Sequence, residues 1–139
     1  MKPASCQQRL GLVTVIVQDY DEAVEFFTQL LGFELIEDTH LPDENKRWVV
    51  VSPQGARESR VLLARASAPE QSDRIGDQTG GRVSFFLYTA DFWRDYETYR
   101  KRGVAFVRGP RVEKYGTVAV FRDVSGNLWD LVEPSTPAA

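Results

Sequence analysis

One histidine and one cysteine limit the chemistry open to this 139-residue chain. His40 and Cys6 leave no material for a multi-histidine metal site, a thiolate metal site or an intramolecular disulfide. Cys6 sits in a polar N-terminal stretch and reads as an incidental thiol. His40 stands at a strand end beside a charged run and reads as an exposed structural residue. A general base would have to face a cavity with a substrate proton in hydrogen-bond reach. What remains is one well-placed carboxylate, several guanidinium groups, hydroxyls and rings. Strand-like runs at 10–17, 59–65, 82–88 and 128–133 alternate with a period of two. That period puts Leu12, Thr14 and Ile16 on one side with Arg60, Leu62 and Ala64, Arg82, Ser84 and Phe86, and Leu128, Asp130 and Val132. Apolar walls around Thr14, Arg60, Arg82, Ser84 and Asp130 match the mixed lining of a small-molecule pocket. Trp48, Tyr115 and Phe121 carry rings that can stack on a planar ligand, with core or dimer packing as the alternative. Thr14, Trp48, Arg60, Arg82, Ser84, Phe86, Tyr115 and Asp130 are the candidate binding set. Asp130 is the one candidate for acid–base catalysis, with Tyr115 or His40 beside it, and that role requires a carboxyl pKa raised toward the working pH. Arg47, Arg108, Arg111 and Arg122 read as solvated rim charges.

The bulk properties narrow the partners. A formal charge of −3 argues against nucleic acid, which calls for a basic surface. No apolar run approaches the roughly 20 residues that span a bilayer. The N-terminal stretch has one lysine and no apolar core, so it does not read as a secretory signal. The expected partners are a small molecule and a second copy of the chain, with neither nucleic acid nor membrane, and the expected location is the cytoplasm.

The elements that must position these residues occur twice. A strand at 10–17 leads into a helix over DEAVEFFTQLL, then Gly32 and further strands at 33–37, 47–51 and 59–65. A strand at 82–88 leads into a helix at 92–102, then Gly103 and strands at 104–107, 116–122 and 128–133. Asp19 and Asp91 are placed as N-caps, and Glu22 completes an Asp variant of the capping box. Ala23, Phe26, Phe27, Leu30 and Leu31 form one apolar helix face. Residues 40–46 read as a charged connection, and Gly109-Pro110 as a turn. This is one internal duplication, not a solenoid. The expectation is a single domain over 9–134: module one at 9–65, a Ser-, Pro- and Gly-rich linker at 66–81, and module two at 82–134. Tails lie at 1–8 and 135–139. Whether the linker also covers a cavity stays open.

Two stretches carry a family resemblance: VQDYDEAVEFFTQLLGFEL at 17–35 and GTVAVFRDVSGNLWDLVEP at 116–134. The chain resembles the vicinal oxygen chelate superfamily of glyoxalase I, extradiol dioxygenases and bleomycin-resistance proteins. KRWVVVSP at 46–53 is similar to its glyoxalase-like, PhnB-like subgroup. The resemblance implies an α+β fold of two βαβββ modules whose curved mixed sheets form an open cup, with the helices outside. It also implies a homodimer. Metal-using relatives take four ligands from the cup, and those positions match Leu12, Leu62, Arg82 and Asp130. Leucine has no lone pair and arginine repels a cation, so only Asp130 can ligate. A slip of one residue does not rescue the site, because the neighbouring side chains offer no ligand either. No metal or other cofactor is therefore expected. Arg82 and Asp130, being complementary charges, are expected to pair where the metal would sit, either binding a polar or anionic ligand or filling a lost site.

Three functions stay open on these residues. One is a metal-free cup that binds a small polar or aromatic molecule. The alternative is a metal-dependent lyase, isomerase or dioxygenase of the same superfamily with an atypical site. The third is metal-independent acid–base catalysis by Asp130.

Overall fold

A computed structural model describes residues 7–136. Cys6 and the end of the C-terminal tail lie outside the described residues. Two four-stranded mixed sheets are built from eight strands: β1 (Leu12–Val17), β2 (Glu34–Leu41), β3 (Lys46–Ser52), β4 (Arg60–Arg65), β5 (Val83–Tyr88), β6 (Phe106–Glu113), β7 (Gly116–Arg122) and β8 (Leu128–Pro134). Their orders are β1-β4-β3-β2 and β5-β8-β7-β6, so the duplication is complete at the level of topology. In each sheet the first and last strands of the module pair in parallel, β1 with β4 and β5 with β8. The remaining neighbours are antiparallel. The sheets do not join, and β1 and β5 carry no strand on their outer edges. Among the described residues no helix is long and apolar enough to cross a membrane.

Helix α1 (Tyr20–Glu25) starts where expected, with Asp19 accepting the Glu22 backbone N–H at 2.8 Å. It then widens into a π turn over Phe26–Leu30. The Thr28 hydroxyl donates to the Val24 carbonyl at 2.7 Å, and the Leu31 N–H reaches back to Phe26 at 3.1 Å. A side chain competing for a helix carbonyl opens the ladder in this way. The short α2 (Pro69–Ser72) lies inside the linker, where no helix is expected. In module two, α3 (Phe92–Lys101) is capped by Asp91. Helix α1 packs on β3 and β4, and α3 on β7 and β8.

Two strands are longer than the sequence suggests. β2 runs through His40 to Leu41, pairing Thr39, His40 and Leu41 with Trp48, Arg47 and Lys46. Its polar residues are held by Arg47, which bonds Asp38 at 2.7 Å and Asp21 at 2.8 Å. Arg47 is thus an ion-paired tie between β2, β3 and α1, not a free rim charge. β6 runs straight through Gly109-Pro110, with a register shift between Arg108 and Arg111. An edge strand tolerates proline because no neighbour needs its missing N–H.

One apolar core spans both modules, and Trp129 is its centre. The indole lies 5.8 Å from Phe27, 6.1 Å from Phe33, 4.5 Å from Phe85 and 5.8 Å from Phe121. Its N–H donates to the buried Asp123 carboxylate at 2.9 Å. The other Asp123 oxygen accepts the backbone N–H groups of Ser125, Gly126 and Asn127 at 2.9–3.0 Å. Burial raises the Asp123 pKa, while the Trp129 and Asn127 bonds pull it down. The turn so formed reaches the first module, where the Ser125 hydroxyl donates to the Ile16 carbonyl at 2.9 Å. Gly76 of the linker closes on the same turn, and a Cβ there would run into the Ser125 carbonyl. A second tie runs from the buried Tyr99 hydroxyl to the Leu31 carbonyl at 3.1 Å, and burial pushes the Tyr99 pKa up.

Replacing Asp123 by asparagine exchanges one acceptor oxygen for an NH2 donor that faces a ring of donors. Urea unfolding is expected to show about 3 kcal/mol of lost stability. A Trp129→Ala variant is expected to lose about 3–5 kcal/mol.

Candidate functional site

The faces that pack against the helices are apolar and buried: Val15, Val17, Val49, Val51, Val61 and Leu63 in one sheet, Ala119, Phe121, Trp129 and Leu131 in the other. The alternate residues point away from the helices, as the period of two predicts. Thr14 and Phe86 are exposed, while Leu12, Arg60 and Asp130 are half-buried. This face therefore carries the candidate residues, but not as one group.

The largest cavity, about 610 Å³, lies between the modules. That volume is within the roughly 300–1,000 Å³ range of small-molecule sites. Module one contributes the starts of β1 and β4, where Leu12 and Arg60 are register partners, and the turn between β3 and β4. Module two contributes Phe85, Phe86, Leu87 and Tyr88 of β5, with Trp129 behind them. Leu12 and Arg60 also border a smaller hollow of about 280 Å³ with Trp48, Val50 and Glu37. Arg60 therefore brings together two of its predicted companions, Phe86 on one side and Trp48 on the other.

Arg82 and Ser84 fall elsewhere. They line a pocket of about 210 Å³ with Thr79, Arg122 and Asn127. The Thr79 hydroxyl donates to the Arg82 carbonyl at 2.6 Å and lies 3.2 Å from the Ser84 hydroxyl. The linker thus folds against this pocket and against the edge of β1. There the Gln78 side chain accepts from Ile16 N–H at 2.8 Å and donates to the Thr14 carbonyl at 3.0 Å. No linker residue lines the 610 Å³ cavity.

The expected Arg82–Asp130 ion pair is not formed. Arg82 is exposed on the linker side, and the charges acting on Asp130 are Arg111 and Arg108 of β6. The proline-interrupted run hid this neighbour. Read as a strand ending at Val107, it leaves both arginines on a rim; continued through Pro110, it lays them along Asp130. Burial pushes the Asp130 pKa up, and Arg111 and Arg108 oppose that. Tyr115 is exposed at the tip of the β6–β7 hairpin, and His40 is exposed on β2. Asp130, Tyr115, His40 and Thr14 line none of these three cavities. The acid–base group suggested by residue type is not assembled around any of them.

The four positions that the family resemblance matches to metal ligands hold Leu12, Leu62, Arg82 and Asp130. One carboxylate beside a cation and two hydrocarbon side chains does not fit a divalent ion, which calls for several anionic or neutral donors. Among the described residues, no group of three or more His, Cys, Asp or Glu side chains is placed to hold a metal.

Comparison with known proteins agrees with this architecture. The family profile described as Glyoxalase/Bleomycin resistance protein/Dioxygenase superfamily matches residues 9–131. An uncharacterized protein of Shewanella frigidimarina is 54% identical over 127 residues, covering 91% of this chain and 94% of its own. The crystal structure of UcmS2 superposes with a TM-score of 0.80 at 34% identity, covering 92% of this chain and 99% of that one. TnmS3, an antibiotic binding protein from Streptomyces sp. CB03234, gives a TM-score of 0.76 at 29% identity, with 95% and 100% covered.

The Asp130 environment is open to direct measurement. Its carboxyl carbon is expected to titrate by NMR with a midpoint above the ordinary 3.8, and higher still in an Arg108→Gln/Arg111→Gln double variant. A carboxyl pKa raised by folding favours the folded state fully below the unfolded pKa. That contribution is lost as pH rises through the folded value. Asp130→Asn is therefore expected to flatten the fall in stability across that window, read from melting temperature against pH.

Proposed function

The chain belongs to the Glyoxalase/Bleomycin resistance protein/Dioxygenase superfamily, and from that premise we propose that it is a metal-free cup that binds a small polar or aromatic molecule. The observation that carries this reading is the 610 Å³ cavity lined by Phe33, Phe85, Phe86, Tyr88 and Trp129 beside a ligand set with only one carboxylate. Metal chemistry in this superfamily depends on an ion that chelates neighbouring substrate oxygens, and the donor set argues against such an ion. TnmS3, described as an antibiotic binding protein, supports small-molecule binding as a use of this fold. The KRWVVVSP strand supports placement in the PhnB-like subgroup. The cytoplasm is the location proposed.

The second copy of this chain is the proposed partner. Support comes from β5, whose outer edge is unpaired and whose Phe86 and Tyr88 are 61% and 62% exposed. Large aromatic side chains on a free strand edge favour burial against another chain.

Elemental analysis after incubation with Zn, Ni, Mn and Fe(II) and dialysis is expected to give less than stoichiometric metal. Retained stoichiometric metal would overturn the metal-free reading and favour the lyase, isomerase or dioxygenase alternative. Light scattering is expected to give twice the 15.8 kDa chain mass.

A further inference from the structure

Arg60 is the one arginine among the described residues that borders the large cavity, and it borders the smaller hollow as well. The side chain is half-buried, and its Nε is fully buried with no hydrogen-bond partner. The side chain makes no hydrogen bond or ion pair with the described residues. Several other guanidinium groups are held by partners, and Arg60 alone among the described arginines has a buried Nε without one. Arg47 is held by Asp38 and Asp21, Arg94 by Asp95, and Arg65 donates to the Asn45 carbonyl. Glu58 borders the large cavity and Glu37 the smaller hollow, but neither forms an ion pair with Arg60. Glu37 instead accepts from the Thr39 hydroxyl at 2.8 Å.

A buried, unpartnered guanidinium N–H is costly in free energy, because it has given up water and received no acceptor. A planar fork of N–H donors at the mouth of an apolar cavity matches one ligand chemistry above others: an oxyanion, and a carboxylate in particular, bound through two parallel hydrogen bonds. The rest of the cavity specifies the body attached to that anion. Its walls are Leu10, Leu12 and Val13 on one side and Phe86 and Tyr88 on the other, with the Trp129 indole behind. Such walls favour a flat apolar ring system.

We infer that the cavity between the modules takes an aromatic carboxylate, with the Arg60 guanidinium as the anchor for its charge and the β5 aromatics against its ring. The inference rests on the small-molecule reading above and narrows it to one ligand class. It also assigns distinct tasks to residues of one strand pair: Leu12 contributes wall, and its register partner Arg60 contributes charge. Free of ligand, Arg60 contributes nothing to folding through polar contacts. A protein selected for stability alone would be better served by an uncharged side chain there.

The test is isothermal titration of the full chain with naphthalene-2-carboxylate and with its neutral counterpart, naphthalene-2-carboxamide. The carboxylate is expected to bind at least about tenfold more tightly than the amide, the margin of a charge-assisted pair. Arg60→Gln is expected to weaken the carboxylate about 10- to 100-fold and to leave the amide unchanged. Arg60→Lys is expected to restore part of the preference, since it returns the charge but not the fork. The melting temperature of Arg60→Gln without ligand is expected to equal or exceed that of the wild type, so lost binding is not confused with lost fold. Leu12→Ala, which leaves the β5 edge intact, is expected to weaken both probes alike, which places them in this cavity. If wild type binds acid and amide equally, or Arg60→Gln keeps the preference, the anchor is wrong while the cavity reading stands. If neither probe binds wild type, both are wrong.

Discussion

The hydrogen bond from the Trp129 indole to the buried Asp123 carboxylate organises this molecule. A carboxylate can remain in an apolar interior only when its oxygens are saturated with donors, and here five N–H groups converge on it. Four of them belong to the turn and its asparagine side chain, and the fifth belongs to the ring at the centre of the core. The turn and the core are therefore one decision. With the turn closed, Ser125 meets β1 and Gly76 meets Ser125, so the linker and the first module are set by the same contact. The conspicuous F-R-D-x-x-G-N-x-W-D pattern thus has a structural role up to its tryptophan. Only the following Asp130 turns toward the open face.

What could be read from residues alone follows the same division. Helix starts, the repeated order of strands and the alternation of buried and open faces come from short-range patterns, and the structure reproduces them. β2 and β6 were under-read because polar or proline-bearing strands carry no apolar alternation. Their pairing is supplied by partners distant in the chain, such as Arg47 with Asp38 and the plain β7 edge beside Pro110. Ending β6 at Val107 also leaves Arg108 and Arg111 out of the neighbourhood of Asp130, while the pairing with Arg82 rests on complementary charges at two of the matched ligand positions.

Residue type points to one site, whereas the structure divides the candidate residues among separate cavities. Arg60, Phe86 and Trp48 are linked through the start of β4, whereas Arg82 and Ser84 belong to a linker-side pocket and Asp130 to the β6 face. The period of two assigns a side chain to a face but says nothing about position along it. Sequence reasoning could not distinguish residues that share a surface from residues that share a volume. Nor could it find the orphaned Arg60 Nε, because a missing partner is visible only when every neighbour is known.

The four strand edges of the two sheets are not equivalent. β2 carries a bulge and acidic side chains, β6 carries Pro110 and broken register, and β1 has its Thr14 and Ile16 backbone groups occupied by the Gln78 amide, which imitates a neighbouring strand. Each device is a known way of making an edge unattractive to another chain. β5 has a register shift between Val83 and Phe85 but no proline, and among the described residues no side chain occupies the backbone groups of its outer edge. A chain with two adhesive edges grows into a fibre, because every addition leaves a new end. A chain with one such edge consumes it in the first encounter, so the association proposed for β5 would stop at two copies. Gln78 is thus more than a fastening for the linker: it blunts one of two duplicated edges, and an edge so occupied is not open to a further chain.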